Sequence, residues 1–467
     1  MPASDPPETI AAIASATAPA GVGVVRVSGA DAIAVAARAI RARAPLADLP
    51  HAALRRAEII DPSTGESVDD GLVAVFRAPN SFTGETVVEW QGHGGAVTLG
   101  RVLSALLASG ARLARPGEFS ERAFLNGKLD LAQAEAVASL IGAQTVSAQR
   151  VARRQLSGSL SRAVTAAGDR VAVALAHIEA SIDFPEDVGE LAGNPSALAA
   201  VASALADARA IAERLLATAA AGERLMSGVT LVLAGRPNVG KSSLLNALAG
   251  WDRAIVSPIA GTTRDVVEEA LNIGGIPVRA LDTAGIRETT DAVEVIGVER
   301  AKAAVASADV VVAVLDAGAG VTDADAAFLA SLAGRLVVVA ANKADSGGAG
   351  ETLQLARHAL PDAPGVAVAA ITGAGLTELR AALGTLLGGD GLTDGDAPVV
   401  TAARHADALR RAAESLARAS ETLAAELPAE LIAVDAHAAL SALGEITGAT
   451  AREEIIAGIF ARFCIGK

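Results

Sequence analysis

The sequence predicts an α/β plus α chain: a mixed α/β region first, then helices, with a doubly wound parallel sheet inserted among them. Three observations predict it. Short β-branched runs, VTLVLAG (229–235), VVVAVLD (310–316) and VAVAAI (366–371), alternate with stretches of helical period, as in a sheet covered by helices on both faces. Residues 1–128 break instead into short apolar runs such as GVGVVRVSG and GLVAVFRAP, punctuated by Gly and Pro. Ala-rich sequence from Leu129 to about Arg224, and again from Arg404, keeps the helical period. Leu131, Ala134, Ala138 and Ile141 share one face of it, and Ile455, Ile459 and Phe463 follow four apart near the end. The expected domains are 1–128, a helical segment 129–227, the nucleotide-binding sheet 228–388, and a second helical segment 389–467 entered through the linker GGDGLTDGDAP. One helical domain built from both flanks carries the sheet as an insertion, which requires the inserted domain's ends to lie close together.

At 467 residues, 51% hydrophobic and 20% charged, the chain has material for two to four cores. The longest uncharged apolar stretch, Ile10–Val25, is broken by Pro19 and Gly21, and MPASDPPETI lacks the basic-then-apolar order of a secretory leader. Cytoplasmic residence is the expectation. The single cysteine excludes an intramolecular disulfide and a cysteine-ligated metal site. Basic minus acidic residues gives 39 − 53 = −14, with no Lys/Arg run, so the chain alone should bind nucleic acid poorly. An RNA substrate would need a partner to supply much of the positive surface. Only Lys128, Lys241, Lys302, Lys343 and Lys467 are lysines among the 39 basic residues. Where arginine has replaced lysine so widely, the survivors are candidates for places that need a compact ammonium, with chance survival the alternative and Lys302 read as a solvated helix residue.

The motifs bear this out for two of them. GRPNVGKSSLLNALAG follows the strand VTLVLAG and opens a helix with Leu244, Leu245 and Leu248 on one side. Gly235, Gly240, Lys241 and Ser242 fit G-x-x-x-x-G-K-[ST]: the backbone curls its N–H groups around an anion, Lys241 reaches the terminal phosphates and Ser242 offers a hydroxyl to magnesium. GTTRD (261–265) offers Thr263 as a second magnesium hydroxyl, and DTAG (282–285) places Asp282 near the metal and the Gly285 N–H at the γ-phosphate. NKAD (342–345) follows LVVVAA, and the Asp345 carboxylate suits the paired N–H groups of guanine, which adenine lacks. This is a P-loop GTP-binding domain. Where many such domains place a water-orienting glutamine after DTAG, this chain has Ile286. Another group must orient the water, with Arg287, Glu288, Asp291 and Glu294 nearby, and some positive charge must offset the transition state.

With those residues placed, the chain resembles the MnmE (TrmE) family of tRNA-uridine modification GTPases essentially end to end. The resemblance rests on SFTGETVVEWQGHGG, RPGEFSERAFLNGKLDLAQAEA, GRPNVGKSSLLNALAG, AGTTRD, DTAGIRE, NKAD and the terminal FCIGK. It implies a folate-binding, dimerising N-terminal domain, a discontinuous helical domain and an inserted Ras-like GTPase domain. It implies a flavoprotein partner, MnmG, which alone carries FAD. The two together build an aminomethyl-type group, commonly carboxymethylaminomethyl, on carbon 5 of the wobble uridine of certain tRNAs, from a tetrahydrofolate one-carbon unit. The implied GTP site comprises Asn238, Val239, Gly240, Lys241, Ser242 and Ser243, then Ser257, Thr262 and Thr263, then Asp282, Thr283, Ala284 and Gly285, and finally Asn342, Lys343 and Asp345. Magnesium would be held by Ser242 and Thr263, and potassium by Asn238, Ser257, Ile259 and Thr262. Glu294 would orient the water. Folate would meet Arg26, Glu89, Lys128 and Lys467, with Cys464 close to the chemistry. The family's guanine-closing Ser-Ala is replaced by Ala369–Ala370, which removes a hydroxyl contact. The tail has a second reading, a helix end capped by Gly466 with Phe460 and Phe463 in the core. A ribosome-assembly GTPase would share the central motifs but adds a basic RNA-binding module, which this acidic chain lacks. A folate-dependent enzyme with a regulatory GTPase attached is a third possibility.

Overall fold

The computed structural model describes residues 8–15, 19–250, 268–282, 303–389, 392 and 395–466. Contacts divide the chain into two compact units, 1–138 with 444–467, and 139–443.

The first unit is built on a seven-stranded sheet of β1 (Ile10–Ile13), β2 (Ala20–Ser28), β3 (Ile40–Ala42), β4 (Arg55–Ile60), β5 (Ser67–Phe76), β6 (Val87–Gly94) and β7 (Arg112–Leu113), in the order β3-β4-β5-β6-β2-β1-β7. All pairs are antiparallel except β1 with β7. Strand alternation sorts the side chains. Val25, Val27, Val73, Val75, Val88 and Trp90 are buried with Leu99, Val102 and Leu106 of the helix Ala96–Ala108. Ile10 and Ala12 pack instead with Phe119 of the helix Glu118–Leu125, and the same sheet face carries Arg26, paired in register with Glu89.

The closing helix runs Glu453–Phe460 and stops there, so Phe463 does not continue the spacing of Ile455 and Ile459. Phe463 reaches the core from a turn, its ring centroid 5.4 Å from that of Phe460, which is itself 6.3 Å from Phe124. Leu131, Ala134, Phe460 and Phe463 form one cluster, edged by Ile456 and Ile459. Ile141, expected on the face of Leu131, is half exposed.

In the second unit the helices Ser159–Asp183, Pro195–Ala217 and Ala403–Ala424 pack side by side. Their buried faces mix Leu and Val with alanine (Ala167, Ala174, Ala204, Ala208, Ala412, Ala419), which lets helix axes approach closely. The six-stranded sheet holds β8 (Val229–Ala234), β9 (Glu268–Ile273), β10 (Ile276–Asp282), β11 (Val310–Asp316), β12 (Leu336–Asn342) and β13 (Gly365–Ala367), in the order β13-β12-β11-β8-β10-β9. It is parallel apart from the edge strand β9, which forms a hairpin with β10. β13 is shorter than the run VAVAAI because the Val368 carbonyl accepts from the Ala344 N–H at 3.0 Å, drawing the chain into the loop after β12. Both faces are apolar: Leu231, Leu233, Val312 and Val338 on one, Val232, Val311, Leu315 and Val339 on the other. Among the described residues no helix is long and apolar enough to cross a membrane.

Candidate functional site

The nucleotide-site motifs meet at the carboxyl ends of β8, β11 and β12, where ligands of open parallel sheets bind. From β8 the chain turns through Gly235 to Gly240 and opens the helix Lys241–Ala249, whose Leu244, Leu245 and Leu248 are buried as expected. Gly240 has φ +94°, and a Cβ there would collide with the amide nitrogen of Asn342, so only glycine serves. The turn brings backbone N–H groups to a helix N-terminus, an anion site by geometry and dipole. Lys241 is buried, its Nζ donating to the carbonyls of Gly235 at 2.9 Å and Arg236 at 2.8 Å. Those acceptors hold the ammonium over the loop.

Asn342 joins this loop to the base-reading side. It is 2% exposed, its Nδ2 donates to the Val239 carbonyl at 2.8 Å, and its Oδ1 accepts from the Ala370 N–H at 3.1 Å. Lys343, at φ +62°, donates through Nζ to the Asn238 carbonyl at 2.9 Å and to Asp316 Oδ2 at 2.6 Å. The Lys343 hydrogen bond, opposed by partial burial, holds the Asp316 carboxyl below the usual carboxylate range. Gly240, Ser243, Asn342, Lys343, Asp345, Ser346, Ala370 and Ile371 surround a cavity of about 150 Å³. The Asp345 side chain is exposed at its rim.

Two supports escaped sequence reasoning. Asp316 ends β11 directly beside Asn342 in register, and an acid at the carboxyl end of a parallel strand was the available signal. Arg236 is tied at 2.8 Å to Asp325, a buried acid that also completes the capping box of the helix Asp323–Ser331 with Thr322. The T-x-x-D spacing marked that cap, though nothing local marked its arginine.

Ser242 and Asn238 are exposed, and among the described residues neither side chain has a hydrogen-bond partner. A hydroxyl and an amide oxygen left open beside an anion site fit hard-cation ligation. Ser257, Ile259, Thr262, Thr263, Thr283, Ala284, Gly285, Glu294 and Lys467 lie outside the described residues, as does the Asp282 side chain.

In the first unit Arg26 Nε donates to Glu89 Oε1 at 2.9 Å, and its guanidinium lies 5.5 Å from the ring centroids of both Phe82 and Phe119. The loop carrying Phe82 also meets Lys128, whose Nζ donates to the Pro79 carbonyl at 3.1 Å. Ser28 Oγ lies 2.8 Å from Thr83 Oγ1 and donates to Glu85 at 2.8 Å, and Arg122 bridges Glu85 to Glu118. Burial pushes the Glu118 carboxyl up, but hydrogen bonds from Arg112, the Arg115 N–H and Arg122 outweigh it and hold it at about 2. Gly466, at φ +94°, packs against the Ile13 carbonyl, and the Cys464 carbonyl accepts from the Gly117 N–H at 3.4 Å. Cys464 itself is exposed.

Residues 9–128 match the family described as GTP-binding protein TrmE N-terminus, and residues 131–464 the MnmE helical domain. A tRNA modification GTPase MnmE of Moorella thermoacetica is 46% identical over 98% of this chain and 99% of its own. The protein of that name from Symbiobacterium thermophilum is 47% identical over the same shares. Among solved structures, Era of Aquifex aeolicus aligns with 40% of this chain and 66% of its own at 31% identity and a TM-score of 0.28.

Proposed function

The chain belongs to the MnmE family of tRNA modification GTPases, and from that premise we propose that it hydrolyses GTP to drive the modification of tRNA. The observation that carries the GTP half is Asn342, which fastens the phosphate loop at Val239 to the base loop at Ala370 beside Asp345. Phosphates would displace the Gly235 and Arg236 carbonyls from Lys241, whose ammonium then offsets charge on the transferred phosphoryl group. Asp345 would accept the guanine N–H pair.

Ser242 with Thr263 would hold magnesium, and Asn238 with Ser257, Ile259 and Thr262 would hold potassium. The potassium would supply positive charge where other GTPases insert an arginine. Glu294 would orient the attacking water in place of the missing glutamine. The tRNA half rests on the family. The finer reading places the product on carbon 5 of the wobble uridine, made as a homodimer with the flavoprotein MnmG and a tetrahydrofolate one-carbon donor. Glu89 supports the folate part: its second carboxylate oxygen takes no hydrogen bond among the described residues, and an aminopyrimidine edge offers the matching N–H groups. Arg26, beside Glu89, and Lys128 would line the same pocket, and Lys467 would meet the cofactor's carboxylates.

Asp345→Asn should weaken GTP binding by about a hundredfold or more and turn preference toward xanthosine triphosphate, as expected when a buried-edge hydrogen-bond pair is reversed. Unchanged guanine preference in a competition assay defeats the base assignment. For the tRNA half, tRNA from a strain lacking the gene should have lost its wobble-uridine modification. Normal tRNA with immature ribosomal subunits would favour the assembly-factor alternative.

A further inference from the structure

The helix Val146–Leu156 has two faces. Ala148 and Val151 are buried in the apolar core of the nucleotide-binding sheet, and buried Gln155 donates to the Val399 carbonyl at 2.7 Å and the Thr401 hydroxyl at 2.9 Å. Arg150, Arg153 and Arg154 leave the other side at the i, i+3, i+4 spacing that stacks side chains along one face. With Leu156, Ser157, Gly395 and Asp396 they line a cleft of about 630 Å³. Arg154 is engaged structurally, donating to the carbonyls of Leu392 and Gly395. Arg150 and Arg153 are exposed, and among the described residues neither guanidinium has a hydrogen bond or ion pair.

Several exposed arginines on the helices of this unit are paired with acids: Arg209 with Glu213, Arg410 with Asp407 and Glu414, Arg418 with Asp435. From Ala136 to Gly168, by contrast, the sequence holds four arginines (150, 153, 154 and 162) and no acidic residue, in a chain of net charge −14. Arg162 joins the cluster by donating to the carbonyl of Ser157 on the cleft wall at 2.7 Å. Guanidinium forks take phosphate oxygens in pairs, and a row of them left open suits a ligand with repeated phosphates.

We propose that this cleft docks the phosphate backbone of the tRNA substrate, an inference that rests on the tRNA reading above. The helix is also placed to report the docking. Thr145 caps it, accepting from the Ala148 N–H at 3.1 Å, and donates to the Gly275 carbonyl at 2.6 Å in the β9–β10 turn. That hairpin lies in sequence between GTTRD and DTAG, so RNA pressing on the helix acts on the strands joining the two nucleotide-sensing segments.

The test titrates the full chain against a fluorescently labelled, unmodified tRNA transcript at 50 and 200 mM potassium chloride, comparing wild type with Arg150→Gln/Arg153→Gln. The variant should bind more weakly at both concentrations. Losing two phosphate contacts should also flatten its salt dependence, so that across this fourfold rise wild type loses roughly tenfold more affinity than the variant does. The GTPase rate without tRNA should match wild type, which certifies the fold. Equal affinity, an equal salt slope, or no measurable binding by wild type overturns the proposal. Displacement of tRNA by polyglutamate as readily as by unlabelled tRNA also overturns it and points to an acidic protein partner. Normal wobble-uridine modification in the deletion strain strikes the tRNA reading itself, whereas a variant that binds like wild type strikes only the cleft.

Discussion

In the nucleotide cradle, Lys241 is held by two neutral carbonyls and Lys343 by a carbonyl and one carboxylate. In the N-terminal unit, Arg112 and Arg122 are instead paired with acids: Glu118 accepts from both, Glu8 accepts from Arg112 and Glu85 from Arg122. The difference decides what each cluster can do. Carbonyl acceptors can be exchanged for those of an incoming anion, whereas a cation surrounded by carboxylates contributes to the fold and answers mainly to pH.

The sharpest way to break this contrast is Lys241→Ala, which removes the buried cation from the mouth of the loop. Nucleotide turnover should fall by at least a hundredfold, with the melting temperature near wild type. A large loss of stability instead would make Lys241 part of the framework.

Glu118→Gln addresses the other cluster. Its carboxyl is held at about 2, against an ordinary value of 4.5. The folded state thus favours the charged form, and the contribution is fully present above about pH 4.5 and lost as pH falls through 2. The variant should lose about 3 kcal/mol at neutral pH, as when a buried ion pair loses one member. Its thermal stability should also vary less between pH 4.5 and 2. An unchanged acid limb would show that Arg112 and Arg122 do not lean on this acid.

A smaller effect is expected from the alkali cation. Replacing sodium by potassium at constant ionic strength should raise GTP turnover by about tenfold, and Asn238→Ala should flatten that response, because charge placed at the transition state acts on rate. Equal rates in the two salts would leave the cradle's lysines as the dominant positive charge. Smallest is Ala369→Ser. Restoring a hydroxyl at the guanine-closing loop should tighten GTP binding by about threefold, the scale of one neutral hydrogen bond. No change would mean that backbone groups of this loop already satisfy the base.

The cradle was legible in the sequence because its parts are local. Six consecutive residues, Gly235 to Gly240, dictate a turn, and NKAD follows its strand without a gap, so spacing alone implied geometry. Arg26 and Glu89 are 63 residues apart, and only strand pairing brings them together. Their partnership was suggested by resemblance alone. Arg236 with Asp325 is similarly remote. The last helix was misjudged at its end: the spacing of Ile459 and Phe463 looks helical, yet the chain breaks at Phe460 and Phe463 enters the same core from a turn. Periodicity records which side chains are buried and is silent on whether one helix carries them all.

Asn342 has a consequence for how small molecules would behave here. One amide side chain restrains both loops of the proposed nucleotide site. A fragment occupying either half would stiffen the other through it, since loops ordered once need not be ordered again. Guanosine and pyrophosphate, added as separate compounds, would then bind with mutual enhancement. Joining two weak fragments by a short tether across Asn342 would gain from that synergy, and a compound that pushed the amide aside would forfeit it.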